Sequence, residues 1–167
     1  MSAVASHLTR SPRQGVRVVQ LKGGTSYSER ATHDYEIMRA FCEALCAEPR
    51  YLPLPAIFED TATASIVRAD RAIARILEEG RGVDVAVFTV GAINEEALSL
   101  NLGQLDRGEV EALLRDAVGD ACSRFFTRDG VVAAPAVDER TVGIRLEELR
   151  ARPVRVLVAG GRVKASA

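Results

Sequence analysis

Short runs rich in Val, Leu and Ile that lead into glycine, separated by stretches of helical period, constrain this chain more than any other feature. The clearest runs are residues 16–21, 83–90 and 154–159, which lead into Gly23, Gly91 and Gly160. Runs of this length and composition are what interior strands of a parallel sheet require, because such strands are buried on both faces. Alternation with helical segments predicts a mostly parallel sheet covered by helices. The expected class is therefore α/β.

Between the strands, residues 32–47 carry Tyr35, Met38, Ala40, Phe41, Ala44 and Leu45 at helical spacing, with Pro49 closing the segment. A second helix is expected over residues 63–79, with Ile66, Val67, Ala69, Ile73, Ile76 and Leu77 toward the core and Gly80 as its stop. A third is expected over residues 107–117, where Asp106 followed by Glu109 forms a capping pair. Residues 50–55 read as a short edge strand, since Pro53 and Pro55 argue against a central one. Residues 142–144 read as a further strand, and residues 146–150 as a single helical turn before Pro153. Residues 1–8 have the spacing of a helix already under way, and residues 164–167 stand where a helix should start. Both ends are therefore expected to be cut from a longer protein, and no linker or repeat divides what lies between them.

With 167 residues and 47% apolar content there is material for one domain with a real core. Lys and Arg total 22 against 23 Asp and Glu, a net charge of -1, so no excess of positive charge is available to grip a nucleic-acid backbone. No window reaches the roughly 20 apolar residues of a membrane helix. The N-terminus lacks the basic segment and apolar run of a signal peptide, so a cytoplasmic location is expected. Cys42, Cys46 and Cys122 have no disulfide-framework spacing and no His or Cys pair to complete a metal site. They are expected to be buried or half-buried thiols.

Chemistry is best sought at the two Gly-Gly turns, Gly23-Gly24 and Gly160-Gly161, each following an apolar strand. Ligands of open α/β sheets bind at the carboxyl ends of strands, where glycine lets the backbone approach. Lys22 precedes the first turn and Lys164 follows the second. Two cations and two groups of backbone N–H would suit a phosphate; spacing alone favours ordinary tight turns and solvated lysines. Neither turn is a P-loop or a Gly-x-Gly-x-x-Gly fingerprint, so no nucleotide cofactor is indicated. Asp120 lies in the otherwise apolar stretch Ala117-Val118-Gly119-Asp120-Ala121-Cys122, and a carboxylate driven inward needs donors such as sugar hydroxyls; a surface turn is the alternative. His7 and His33 form no catalytic or metal constellation and read as surface residues. Asp138-Glu139-Arg140 reads as a charged loop engaged in salt bridges.

Taken in order, Val18-Val19-Gln20-Leu21-Lys22-Gly23-Gly24, Leu52-Pro53-Leu54-Pro55-Ala56, Val83-Asp84-Val85-Ala86-Val87, the segment 117–126 and Val158-Ala159-Gly160-Gly161-Arg162-Val163-Lys164-Ala165 resemble the effector-binding domain of SorC-type bacterial transcription regulators. The resemblance spans nearly all of residues 1–167. It implies a Rossmann-like fold with helices on both faces of the sheet, similar to sugar-phosphate isomerases and deaminases, that senses a phosphorylated sugar and switches a homo-oligomeric regulator without catalysis. Carried over by position, Lys22, Gly23 and Gly24 would contact phosphate, with Thr25 in the same turn. Asp120 would bind sugar hydroxyls and Lys164 would face the phosphate. DNA would be met only through a helix-turn-helix domain that is absent from these residues, as is an upstream phosphate loop. The family's Gly-Ile-Gly turn after the middle strand reads Gly91-Ala92-Ile93, and the glycine usual before Ala117 is Asp116. An isomerase or deaminase is the competing expectation, and would need a general acid and base beside the sugar carbons.

Overall fold

The computed structural model describes residues 1–25, 33–161 and 164. In chain order the elements are α1 (Ser2–Ala5), β1 (Arg17–Val19), α2 (Asp34–Leu45), β2 (Glu48–Arg50), α3 (Thr61–Ala69), α4 (Arg71–Arg81) and β3 (Val85–Ala92). A 3-10 turn at Leu98–Leu100 leads to α5 (Arg107–Asp116), β4 (Gly119–Ala121), β5 (Arg124–Phe126), α6 (Pro135–Glu139), α7 (Leu146–Arg150) and β6 (Val154–Val158).

The class is α/β, as expected. β1 pairs with β2 in parallel, and the main sheet has the order β5-β4-β3-β6. Its longest ladder, β3 with β6, is parallel and runs from Val85 opposite Val154 to Thr89 opposite Val158. β4 and β5 extend that sheet as an antiparallel hairpin. Helices cover both faces, which the register makes plain. Ala121 lies opposite Val90 and, with Ala86, packs against Leu146 and Leu149 of α7. Phe125, one residue out of phase with Ala121's partner Arg124, packs on the other face against Leu113 of α5, Ala117 and Leu100. A third cluster joins Leu52, Leu54 and Val142 to Ala64 of α3 and Leu77 of α4. On β6, by contrast, Val154, Val156 and Leu157 are exposed.

Several local expectations change. The helix expected over 63–79 is two helices, because the Asp70 side chain leaves the first and accepts the N–H groups of Ala72 and Ile73 as the cap of the second. The edge strand lies at Glu48–Arg50 rather than 50–55. Leu52 and Leu54 are buried in the core instead, with the Leu52 N–H donating to the Gln20 side-chain oxygen. Residues 142–144 make single bridges, Gly143 to Lys22 and neighbouring Thr141 to Ile57, and no continuous strand. Asp138 and Glu139 belong to α6 rather than to a loop, although the salt-bridging expectation holds: Asp138 pairs with Arg124 and Arg140 with Glu109. Cys42 and Cys122 are half-buried, but Cys46 is exposed, because it takes the left-handed position (φ 52°) that ends α2. Thr32, at the start of the expected α2, lies outside the described residues, as do Arg162, Val163 and residues 165–167.

The capping pair of α5 is as expected. Asp106 Oδ1 accepts the Glu109 N–H at 2.8 Å, while the Asp106 N–H donates to Glu109 Oε2 at 2.9 Å. Asp106→Ala should therefore lower stability by about 1 kcal/mol in chemical denaturation, the usual worth of an N-cap. A change indistinguishable from zero would mean that packing of Leu113 alone holds this helix.

Candidate functional site

The first Gly-Gly turn is built by close packing. Gly23 is buried, and a Cβ there would stand 2.3 Å from the Pro55 carbonyl oxygen and 2.5 Å from that of Leu54. At Gly24 a Cβ would meet the Asp34 carboxylate at 2.2 Å and the Gln20 amide at 2.4 Å. Only glycine fits at Gly23, where the atoms met are backbone; at Gly24 they are side-chain ends. The N–H groups of this turn are not presented outward, however: Gly23 donates to the Val142 oxygen and Thr25 to the Leu54 oxygen, both at 3.2 Å. Lys22 is half-buried, and its Nζ donates to the Gly23 oxygen at 3.1 Å. Thr25 is exposed, its carbonyl accepting from Gln104 Nε2 at 3.3 Å. The Lys22 ammonium is thus folded back onto its own turn, and a cleft of about 530 Å³, which Lys22 does not line, opens beside Gly24 and Thr25 toward the stacked rings of Tyr35 and Tyr51.

Asp120 is the middle residue of β4, opposite Gly91 on β3 and Phe125 on β5. Its carboxylate lies over the Gly91 backbone, where a Cβ would stand 2.2 Å from Oδ1. Gly91 thus keeps the space that the carboxylate occupies. The two residues after Ala121 close the β4–β5 hairpin, and both are left-handed: Cys122 at φ 54° and Ser123 at φ 62°. Such a turn normally takes Asn-Gly, and non-glycine residues in this region cost of order 1 kcal/mol each. The turn aims the Ser123 N–H at Asp120.

Burial pushes the Asp120 carboxyl above the usual carboxylate range. Hydrogen bonding from Ser99, the Lys22 ammonium, the Ser123 N–H and the Lys164 ammonium act the other way. Burial likewise raises the Cys122 thiol to about 11, against the pull of Lys22. These influences bring Lys22, Asp120 and Lys164 into one electrostatic neighbourhood, though the sequence places them on three separate segments. Lys164 is half-buried, its N–H donating to the Gly161 oxygen at 3.2 Å. The second Gly-Gly turn differs from the first: Gly160 and Gly161 are exposed, and a Cβ on either would meet nothing.

Sequence reading passed over Ser99, Ser123 and Gly91 as members of this neighbourhood. Only Gly91 left a trace, as the glycine at the end of the middle strand. His7 and His33 are exposed, as expected. Among the described residues no group of three His, Cys, Asp or Glu could hold a metal, and no helix is long and apolar enough to cross a membrane. The arrangement is a half-buried carboxyl with acceptor capacity, set in a sheet and under the electrostatic influence of two ammonium groups. It is suited to a ligand that carries both hydroxyls and an anion.

Comparison with known proteins agrees on one kind of molecule. The family model described as "Putative sugar-binding domain" matches residues 1–167. The deoxyribonucleoside regulator of Bacillus subtilis (strain 168) is 42% identical over 166 residues, which cover 99% of this chain and 53% of that protein. A crystallised domain of a possible sugar-binding transcriptional regulator from Arthrobacter aurescens TC1 superposes with a TM-score of 0.87 at 32% identity, over 98% of this chain and 63% of that one. The full-length sorbitol operon regulator SorC from Klebsiella pneumoniae shares the fold, with a TM-score of 0.81 at 24% identity over 99% of this chain and 56% of its own. The chain thus spans about half the length of the curated relative it matches, and these relatives are transcription regulators rather than enzymes.

Proposed function

This chain belongs to the family of sugar-binding domains found in bacterial transcription regulators, and from that membership we propose that residues 1–167 are part of the effector domain of a longer, SorC-type, sugar-responsive regulator and bind a phosphorylated sugar. The observation that carries the reading is the half-buried Asp120 carboxyl, on which Lys22 and Lys164 act from two different strand ends. In this reading Asp120 accepts hydrogen bonds from sugar hydroxyls, and the two ammonium groups hold the phosphate. Gly23 and Gly24 let the backbone come close enough to present Lys22, and Thr25 lies at the mouth. Binding alters the homo-oligomer and, through a helix-turn-helix domain elsewhere in the full-length cytoplasmic protein, its hold on DNA. The share of the relatives' length that this chain spans supports the division.

The test is ligand-dependent thermal stability, run on this chain and on the full-length gene product. Because the Bacillus relative is named for deoxyribonucleosides, 2-deoxyribose 5-phosphate is the first probe, with ribose 5-phosphate and fructose 6-phosphate beside it. At a hundred times its Kd a ligand adds about 2.7 kcal/mol, a readily measured upward shift. Lys164→Ala should remove most of that shift. Asp120→Asn should remove it too while raising the stability of the unliganded protein at neutral pH, since a buried carboxylate is costly there. The sign follows from the direction of the shift: a carboxyl whose pKa is raised by folding loses stability as pH rises through its folded value. The advantage of Asp120→Asn should therefore disappear as pH falls below that value. Unchanged ligand shifts in both variants would reject the site.

A further inference from the structure

Arg124 has no place in the proposed ligand contacts, yet it is 2% exposed and its guanidinium is fully engaged. Nε donates to the Ile144 oxygen at 2.8 Å. Nη1 donates to the Asp138 oxygen at 2.8 Å and to Asp138 Oδ1 at 2.6 Å. Nη2 donates to the oxygens of Thr141 at 3.0 Å and Gly143 at 3.1 Å. Every contact falls on one segment, residues 138–144, and four of the five acceptors are main-chain carbonyls.

The other edge of that segment lies along the Lys22 turn. The Ile144 N–H donates to the Leu21 oxygen at 2.7 Å, and the Gly23 N–H to the Val142 oxygen at 3.2 Å. Gly143 and Lys22 form an antiparallel bridge, so close that a Cβ on Gly143 would stand 2.8 Å from the Lys22 Cα. On its own strand, Arg124 immediately follows the left-handed Cys122-Ser123 turn that aims an N–H at Asp120. One short path thus runs from Asp120 through the hairpin turn to Arg124, across its hydrogen bonds to 141–144, and across the backbone bridge to Lys22.

We propose that Arg124 is a positioning residue that fixes the spacing between Lys22 and Asp120, the cationic and hydroxyl-accepting halves of the site. Arginine is needed because its planar fork reaches several carbonyls at fixed angles; a lysine supplies the charge without the fork. The functional side of this inference rests on the ligand reading given above. Its structural side does not, and the experiment separates the two.

Native-state hydrogen exchange is followed at the amides of Gly23 and Ile144, which join the Lys22 turn to the clamped segment, and at Val154, whose N–H donates to the Asp84 oxygen in the β3–β6 ladder. In Arg124→Lys the first two should exchange about tenfold or more faster, the equivalent of one lost charge-assisted hydrogen bond. Val154 should change much less. Asp138→Asn, which keeps the shape and weakens the ion pairs with Arg124 and, at 3.9 Å, with Arg145, should show the same pattern at smaller amplitude and serves if Arg124→Lys does not fold. Equal acceleration at all three amides, or none, overturns the proposal, since either means that Arg124 serves overall stability alone. Affinity for 2-deoxyribose 5-phosphate is measured in parallel and should weaken in both variants. If the unaltered protein takes up none of the sugar phosphates, the ligand reading falls while the exchange comparison still decides the role of Arg124.

Discussion

Gly23→Ala is expected to destabilise the protein by about 3 kcal/mol, at the upper end of the range for overpacking. The added methyl would stand 2.3 Å from the Pro55 oxygen and 2.5 Å from the Leu54 oxygen, and both are backbone atoms that no rotamer change can move aside. The Thr25 N–H bond to the Leu54 oxygen runs through the same spot and would be strained with it. Gly160→Ala is the matched control: it is the first glycine of the other Gly-Gly turn, with open space around it, and should change stability by no more than about 0.5 kcal/mol. Urea denaturation of the pair reads the difference directly. Equal tolerance of alanine at both positions would contradict the packing described for the Lys22 turn.

The second large effect is expected at Arg124. Arg124→Met should cost about 3 kcal/mol, because removing one member of a buried ion pair deprives the other of its main partner. Asp138, 11% exposed, would keep the more exposed Arg145 at 3.9 Å, and the Ile144 and Gly143 carbonyls would lose the donor that Arg124 supplies. The double variant Arg124→Met with Asp138→Leu should recover part of that loss, since an apolar replacement of both partners removes the stranded charge. Arg107→Ala, which breaks an exposed pair with Glu111, should leave the denaturation midpoint nearly where it was. If Arg124→Met behaved like Arg107→Ala, the guanidinium would be a passenger in its pocket.

What sequence reading could and could not see follows from how far each feature depends on its neighbours. β3, β6 and α5 are set by local signals, β-branched runs and the Asp106–Glu109 cap, and these elements lie where those signals put them. The break at Asp70 was equally local, but the apolar positions on either side kept one helical phase and concealed it. The β4–β5 hairpin was missed because its turn is Cys122-Ser123, which carries none of the Asn or Gly chemistry that marks such turns. At the site, Lys22, Asp120 and Lys164 were each visible as residues out of keeping with their surroundings. Invisible was the fate of the turn's N–H groups, which depends on Val142 and Leu54 arriving from distant segments. Arg124 was invisible for the same reason: read in sequence it is one cation beside two phenylalanines.

The exposed valines and leucine of β6 affect how this chain behaves at the bench. Among the described residues β6 is the outermost strand of its sheet, so one row of its backbone N–H and C=O groups has no sheet partner there, and Val154, Val156 and Leu157 stand exposed beside that row. Such an edge is a template for strand-to-strand association between copies. A sizing column or light-scattering run on residues 1–167 therefore reports adhesion through β6 together with any assembly native to the regulator. A lysine substituted at Leu157 separates the two: material that becomes monomeric with that change was held by the bare edge, and material that does not was held elsewhere.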